Sequence, residues 1–309
     1  MEYRIDPELE HMVDMLPKPS EDLAVTRANM AQLFEALNST VDASSLTIED
    51  RIISGPLGAP AIPIRIYRPE GQCPAVILHI HGGGFVLGSL ESEHPYAVAL
   101  AREVGALVVS IDYRLAPENP FPAAPEDCYA ALLWVQANAK SLELEPHRIA
   151  VLGTSCGGGI AAAVALMARD RNTPAPCSLV LNSPELDDRL ETTSMKRFVD
   201  TPLFSRPQAE RSWRAYLGDN REPVSPYAAP ARAADLSGLP ATYIAAAEFD
   251  PLRDEAVIFG LRLLEAGVTV ELHTFPGTFH GSFAFAFAAV SRRQADELRG
   301  VLKRALQLT

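Results

Sequence analysis

The sequence predicts an α/β fold, a mostly parallel central sheet with helices on both faces. Three observations point to it. From residue 75 onward, short apolar runs alternate with stretches of helical periodicity. Most of those runs are nearly continuous in Val, Ile, Leu and Ala, as strands covered on both faces must be. Strand regularly followed by helix also implies right-handed crossovers, which wind a sheet in both directions.

The elements follow in order. The first forty-odd residues read as helical, with Leu23, Met30, Leu33, Phe34 and Leu37 at helical spacing and Pro17 and Pro19 before them as breakers. Two strand-like stretches come next, Leu46–Ser54 and Ala61–Tyr67. In the second, Ile62, Ile64 and Ile66 alternate with Pro63, Arg65 and Tyr67, which suits an exposed antiparallel pair. The parallel strands are expected at Ala75–Ile80, Ala106–Ile111, Arg148–Leu152, Ser178–Asn182, Ala241–Ala246 and Thr269–Phe275. Helices are expected at Tyr96–Glu103, Pro125–Ala139, Cys156–Arg169, Asp254–Ala266 and Gln294–Leu306. Residues 187–217 break the rhythm with mixed charge and the interleaved rings of Phe198, Phe204, Trp213 and Tyr216. An insertion after a strand's C-terminal end stands where ligands bind in such sheets. With the helices of about residues 1–45, it is expected to form a cap. No repeat or low-complexity linker divides the chain, so residues 1–309 are expected to form a single domain carrying that cap.

Composition narrows the function. The chain has 309 residues, 48% hydrophobic and 21% charged, enough for a sizeable core without staples. Its formal charge of −12, with no block of Lys and Arg, speaks against nucleic acid and favours a neutral small molecule. The four cysteines include no Cys-x-x-Cys pair, so reduced, mostly buried thiols are expected. The acidic N-terminus has no apolar h-region, and the run Ile160–Ala168 is roughly half of what a bilayer needs. A cytoplasmic protein without membrane insertion is expected. Nothing fixes the oligomeric state, and a homodimer is compatible with the sequence.

The chemistry concentrates in two motifs. Gly153-Thr154-Ser155-Cys156-Gly157 follows an expected strand and opens an expected helix. A sharp strand-to-helix turn lifts the middle residue above the sheet, and the glycines avoid side-chain clashes there. Ser155 then sits at a helix N-terminus, whose free N–H groups favour developing negative charge. The motif alone recurs by chance, but no Gly-Lys-Ser/Thr and no Gly-x-Gly-x-x-Gly is present to turn it into a phosphate loop. His81-Gly82-Gly83-Gly84-Phe85 directly follows the strand ending at Ile80. Three glycines there can make only a tight turn. Beside an activated serine, they let N–H groups approach a substrate oxygen together with the N–H of Cys156.

A serine hydroxyl needs a base, itself oriented by an acid. Of seven histidines, His280 lies in a small-residue loop beyond the last expected strand. Asp250 sits just past the strand 241–246, with Glu248 as the rival acid two residues earlier. The serine–acid–histidine chain order suits this strand-and-helix architecture.

Together these residues resemble the hormone-sensitive-lipase-like carboxylesterases, the bacterial family IV esterases of the α/β-hydrolase superfamily. The resemblance runs from about His79 to His280. It is carried by His81-Gly82-Gly83-Gly84, Tyr113-Arg114-Leu115-Ala116-Pro117-Glu118, the serine turn, Asp250-Pro251-Leu252-Arg253-Asp254-Glu255 and His280-Gly281. It implies an α/β-hydrolase fold with a helical cap, Ser155 as nucleophile, His280 as base and Asp250 as acid. It also implies oxyanion N–H groups from Gly83, Gly84 and Cys156, with Gly82 as a neighbour. Thr154 and Cys156 depart from the commoner Gly-Asp-Ser-Ala-Gly. Cys156 is either a small buried hydrophobe or a helix-N-terminal thiol with raised thiolate character. Arg114 and Glu118 are expected to tie the loop near the glycines, and His79 to pack. Some subset of Phe85, Phe204, Trp213, Phe279 and Phe283 is expected to line the pocket. The reaction expected is two-step acyl transfer on a short- to medium-chain ester, with no cofactor and no metal. An amidase, carbamate hydrolase or acyltransferase using the same serine stays open. A receptor on this fold, as in the gibberellin receptors, would lack the catalytic histidine.

Overall fold

A computed structural model describes residues 3–16, 22–218 and 223–308 of the chain. Pro17 and Pro19 lie outside the described residues. The sheet has eight strands: β1 (Leu46–Ile53), β2 (Ile62–Pro69), β3 (Val76–Ile80), β4 (Leu107–Ile111), β5 (Ile149–Thr154), β6 (Ser178–Asn182), β7 (Ala241–Phe249) and β8 (Val270–Phe279). Their spatial order is β1-β2-β4-β3-β5-β6-β7-β8. β1 pairs antiparallel with β2, and β2 with β4, while every pair from β4 to β8 is parallel. Every residue of β3, β4 and β6 is buried, which is why those strands read as nearly continuous apolar runs. β2 alternates because it pairs near the sheet's margin, with Ile62, Ile64 and Ile66 inside and Pro63 in water.

Nine α-helices are found among the described residues: α1 (Pro7–Val13), α2 (Leu23–Asn38), α3 (Leu90–Val104), α4 (Ala123–Ala137), α5 (Cys156–Asp170), α6 (Thr193–Arg197), α7 (Arg206–Leu217), α8 (Arg253–Glu265) and α9 (Ala289–Ala305). One face of the sheet, with α4, α5 and α8, encloses a core that includes Val109, Val151, Leu166 and Phe259. The other, with α3 and α9, encloses Ile77, Val108, Tyr243 and Leu302. Helix α5 is buried from Cys156 to Ala168, so its run of Gly and Ala is the price of packing a helix this tightly.

Two departures from expectation have physical causes. Helix α3 starts six residues earlier than Tyr96, with Ser89 and Ser92 forming a capping box. Pro95 lies inside it and cannot donate to the carbonyl of Glu91. The Asn38 side-chain amide, at the end of α2, donates to that carbonyl at 3.0 Å. Strand β8 runs through Pro276 and Gly277 to Phe279, past the expected stop at Phe275. An irregularity between Ala247 and Phe249 absorbs the breakers, and Glu248 accepts the N–H of Gly277 at 2.7 Å.

Candidate active site

The end of β5 sets Ser155. Ser155 has φ 57° and ψ −125°, a conformation an L-residue holds only when its surroundings enforce it. The glycines enforce it by close approach. A β-carbon on Gly153 would lie 2.1 Å from the carbonyl oxygen of Gly157, and one on Gly157 would lie 2.3 Å from that of His81. Ser155 is 5% exposed.

Asp250 and His280 are brought together by register. β7 and β8 pair Phe249 with Phe279, so the next residue of each strand stands side by side at the sheet's end. His280 Nδ1 is 2.7 Å from Asp250 Oδ2, and His280 Nε2 is 3.0 Å from Ser155 Oγ. An ionised carboxylate only accepts, so the imidazole proton lies on Nδ1 and leaves Nε2 free to accept from the serine. Asp250 Oδ1 also accepts the Leu252 N–H at 2.9 Å. Burial acts to lower the His280 pKa, but the charge and hydrogen bond of Asp250, aided by Glu185, outweigh it, and the net shift is upward. The rival acid, Glu248, is taken up by the Gly277 amide instead.

The glycine loop lies against the nucleophile. A β-carbon on Gly82 would sit 3.4 Å from Ser155 Cβ. Gly83 has φ 121°, and a β-carbon there would fall 2.3 Å from the Leu87 carbonyl oxygen, so glycine is required. Tyr113 donates its hydroxyl to the His81 carbonyl at 2.9 Å and stacks on the His81 ring at 4.1 Å. Behind it, Arg114 donates to Asp127 from Nε at 2.8 Å and from Nη2 at 2.7 Å. Glu118 pairs with Arg27 of α2, which also donates to the carbonyls of Val86 and Ala116. Sequence reasoning missed Arg27 and Asp127. Only their partners, Glu118 and Arg114, stood in a visible motif.

The cysteine beside Ser155 is a buried thiol. Cys156 is fully buried, and burial pushes it up to about 12, against the lowering pull of the Phe85 and Gly84 amides and Tyr113. This removes the thiolate reading, because a helix N-terminus cannot offset complete loss of water here. Thr154 Oγ1 has no hydrogen-bond partner among the described residues, so nothing replaces an aspartate's local bonds at that position.

The expected pocket residues separate. Phe204 packs on the His280 ring at 4.7 Å. Phe85 stacks on Tyr216 at 3.8 Å and lies 5.4 Å from Trp213 of α7. Phe283 turns its edge to Tyr96, 6.3 Å away. Phe279 is corrected to a core residue. It is fully buried with Leu9 and Phe275 because it shares Phe275's face, four residues along one strand. His79 is packed, 3.2 Å from Ser110 Oγ. From residues 187–217, Phe204 meets the His280 ring, Ser212 donates to Glu185, and Asp200 accepts from Tyr3. No group of three or more His, Cys, Asp or Glu among the described residues is arranged to hold a metal, and none of the described helices is long and apolar enough to cross a membrane.

A serine, an imidazole and a carboxylate in line beside a glycine loop carry their own pedigree. Residues 77–284 match the family described by the alpha/beta hydrolase fold. The chain belongs to that family. Within it, the hydrolase is a serine carboxylesterase of the hormone-sensitive-lipase-like group, as its relatives establish. It is 38% identical to carboxylesterase NlhH of Mycobacterium tuberculosis, over 98% of this chain and 96% of that one. It is 40% identical to esterase LipI of the same species, over 83% and 81% of the two chains. Among solved structures, a bacterial heroin esterase superposes with a TM-score of 0.95 at 48% identity, covering 98% of each chain.

Proposed function

We propose that this carboxylesterase cleaves short- to medium-chain acyl esters of small molecules by a double displacement on Ser155. Its hydroxyl attacks the ester carbonyl as His280 Nε2 takes the proton. Asp250 holds the imidazole in the required tautomer and stabilises its charged form. The N–H groups of Gly83, Gly84 and Cys156, with Gly82 adjoining, receive the oxyanion, and each such donor is worth about 3 kcal/mol of barrier. His280 then protonates the departing alcohol. Water attacks the acyl-enzyme by the same sequence in reverse roles and frees the acid. Residues 1–45 and 187–217 act as the cap of one domain, closing over acyl and alcohol groups.

What supports this reading above all is the continuous hydrogen-bonded line from Asp250 through His280 to Ser155. The relative named as a heroin esterase acts, by that name, on a small molecule, which favours a substrate of that kind here. Labelling with a fluorophosphonate followed by peptide mapping tests the nucleophile, with modification expected at Ser155 and lost in Ser155→Ala. A panel of p-nitrophenyl acetate, butyrate and octanoate, beside the matching anilide, tests the substrate class. Label on another residue, or preference for the anilide or for long-chain emulsified lipid, would contradict the proposal.

A further inference from the structure

Three successive residues of the glycine loop hold positive φ: Gly83 at 121°, Gly84 at 58° and Phe85 at 62°. Glycine takes such angles freely, but a large side chain does so only where its surroundings hold it there. The loop's own bonds fix its first part. The Gly82 carbonyl accepts from His81 Nδ1 at 2.7 Å, and the Gly83 carbonyl accepts the Leu87 N–H at 2.9 Å. A trans peptide carries its N–H opposite its carbonyl, so these two bonds turn the N–H groups of Gly83 and Gly84 the other way. Phe85 closes the run, and its carbonyl accepts the Ala116 N–H at 2.9 Å. With that carbonyl held, the place of the ring fixes φ at Phe85 and the path of the chain back to Gly84.

The ring is held from α7. Phe85 and Tyr216 lie face to face, with centroids 3.8 Å apart and planes 4° from parallel, and Trp213 closes on Phe85 at 5.4 Å. Phe85 and Tyr216 are each 1% exposed, so neither ring shifts without opening a void. Helix α7 is itself tied to the turn that carries Ser155. Ser212 donates to the buried Glu185 at 2.7 Å, and the main-chain N–H of Glu185 donates to the Ser155 carbonyl at 3.0 Å. Ser212 also borders the loop, since a β-carbon on Gly84 would lie 3.5 Å from Ser212 Cβ. One helix thereby sets the spacing between the glycine loop and the serine turn.

We propose that Tyr216 is a positioning residue, whose stack on Phe85 holds the glycine-loop N–H groups where the ester oxygen becomes an oxyanion. The assignment rests on the triad reading above and deepens it. Such donors lower the barrier only where they meet the oxyanion, and a misplacement of about 1 Å can cost about a hundredfold in rate. Tyr216 touches no reacting atom in this role. Its flat face does the holding, and its hydroxyl is not needed.

The experiment measures p-nitrophenyl butyrate turnover beside inhibition by two ketones of similar size. With 1,1,1-trifluoro-2-pentanone, Ser155 Oγ bonds to the carbonyl carbon, the carbonyl π pair moves onto oxygen, and the serine proton passes to His280 Nε2. Its Ki therefore reports how well an oxyanion is received. The second ketone, 2-pentanone, binds without that addition and reports the ground state. Tyr216→Met, which keeps bulk without the ring face, should lower kcat by about ten- to a hundredfold and leave KM nearly unchanged. Trifluoroketone affinity should fall by the same factor, and 2-pentanone affinity should hold. Tyr216→Phe should recover most of the rate and of the trifluoroketone affinity. An unchanged kcat in folded Tyr216→Met, or a loss of rate without loss of trifluoroketone affinity, overturns the proposal. A second measurement needs no substitution and survives a variant that fails to fold. The Val86 and Leu87 amides, both bonded to the Gly83 carbonyl, should exchange hydrogen as slowly as those of α7 in the wild type. Fast exchange of that pair beside a protected α7 also overturns it. Fluorophosphonate labelling keeps the two levels apart. Label on Ser155 with an unaltered Tyr216→Met rate sinks this inference alone, whereas absence of label on the wild type sinks the triad reading beneath it.

Discussion

At the scale of single residues, the site turns on one proton shared between Ser155 and His280. Removing the hydroxyl in Ser155→Ala should cut kcat/KM by on the order of 10⁴- to 10⁶-fold, leaving what binding and the N–H donors supply. A protonated imidazole cannot accept from Ser155, so kcat/KM should fall as the pH drops through the His280 pKa. Asp250 lifts that pKa above its ordinary 6.5, which places the acid limb above 6.5. Asp250→Asn withdraws the charge that lifts it, so the limb of the much smaller residual activity should move to lower pH. A rate profile from pH 5 to 9 on both proteins checks the sign, and a limb that stays fixed would show that some other group titrates. Glu185 has a stability consequence of its own. Its folded pKa lies near 8, against 4.5 for an ordinary glutamate, so the folded state holds its proton more tightly. The stability it contributes is full below pH 4.5 and is lost as pH rises toward 8. Glu185→Gln should therefore gain on the wild type across that window, by on the order of several kcal/mol at most, and the gap should stop widening above pH 8. Denaturant melts at pH 5, 7 and 9 would read it. That Ser155, His280 and Asp250 come together was legible because each stands in a short motif in a fixed chain order. The state of Cys156 was not, since it depends on full burial and on contacts with Tyr113, Phe85 and Gly84, all remote in sequence. Iodoacetamide at pH 8 should leave Cys156 unmodified in the folded protein and alkylate it only in denaturant, as peptide mapping would show.

At the scale of elements, the sequence announced most of the parallel strands by their apolar runs and misjudged where some elements stop. Pro95 and Pro276-Gly277 looked like breakers, and locally they are. The structure overrides each with a tertiary hydrogen bond, from Asn38 to the Glu91 carbonyl and from the Gly277 N–H to Glu248. No local pattern contains those partners. Helix α2 forms where its spacing placed it, yet Leu33 and Leu37 are exposed and none of its described residues is buried. Besides Asn38, what ties α2 to the body is Arg27, whose guanidinium reaches Val86, Ala116 and Glu118 at once. Arg27→Ala should then cost about 1–2 kcal/mol, because three charge-assisted contacts are lost at a half-exposed position. Arg27→Lys should restore little, as an ammonium cannot span that fork. Hydrogen exchange resolved by segment is the measurement. Faster exchange confined to α2 and the loop after β3 is expected, and unchanged protection of α2 would mean that another contact anchors it.

At the scale of the whole molecule, the question is whether the cap is part of one cooperative unit. One sheet separates the two cores, and α5 is buried against its centre, so neither face can lose its packing without exposing the other's strands. Residues 187–217, the proposed cap, are joined to that body at several points. Phe204 rests on His280, Ser212 bonds Glu185, and Trp213 and Tyr216 complete the same apolar cluster as β5 and α5. These ties predict that unfolding is a single transition, with a calorimetric enthalpy about equal to the van't Hoff value. They also predict that esterase activity disappears with the fold rather than before it, because the residues that seal the site belong to the core that melts. Differential scanning calorimetry read beside residual activity decides the matter. A separate transition at lower temperature, abolishing activity while far-ultraviolet dichroism keeps its sheet signal, would reveal a cap that comes away on its own. It would then be a second folding unit resting on the sheet, held by few enough contacts to open during turnover.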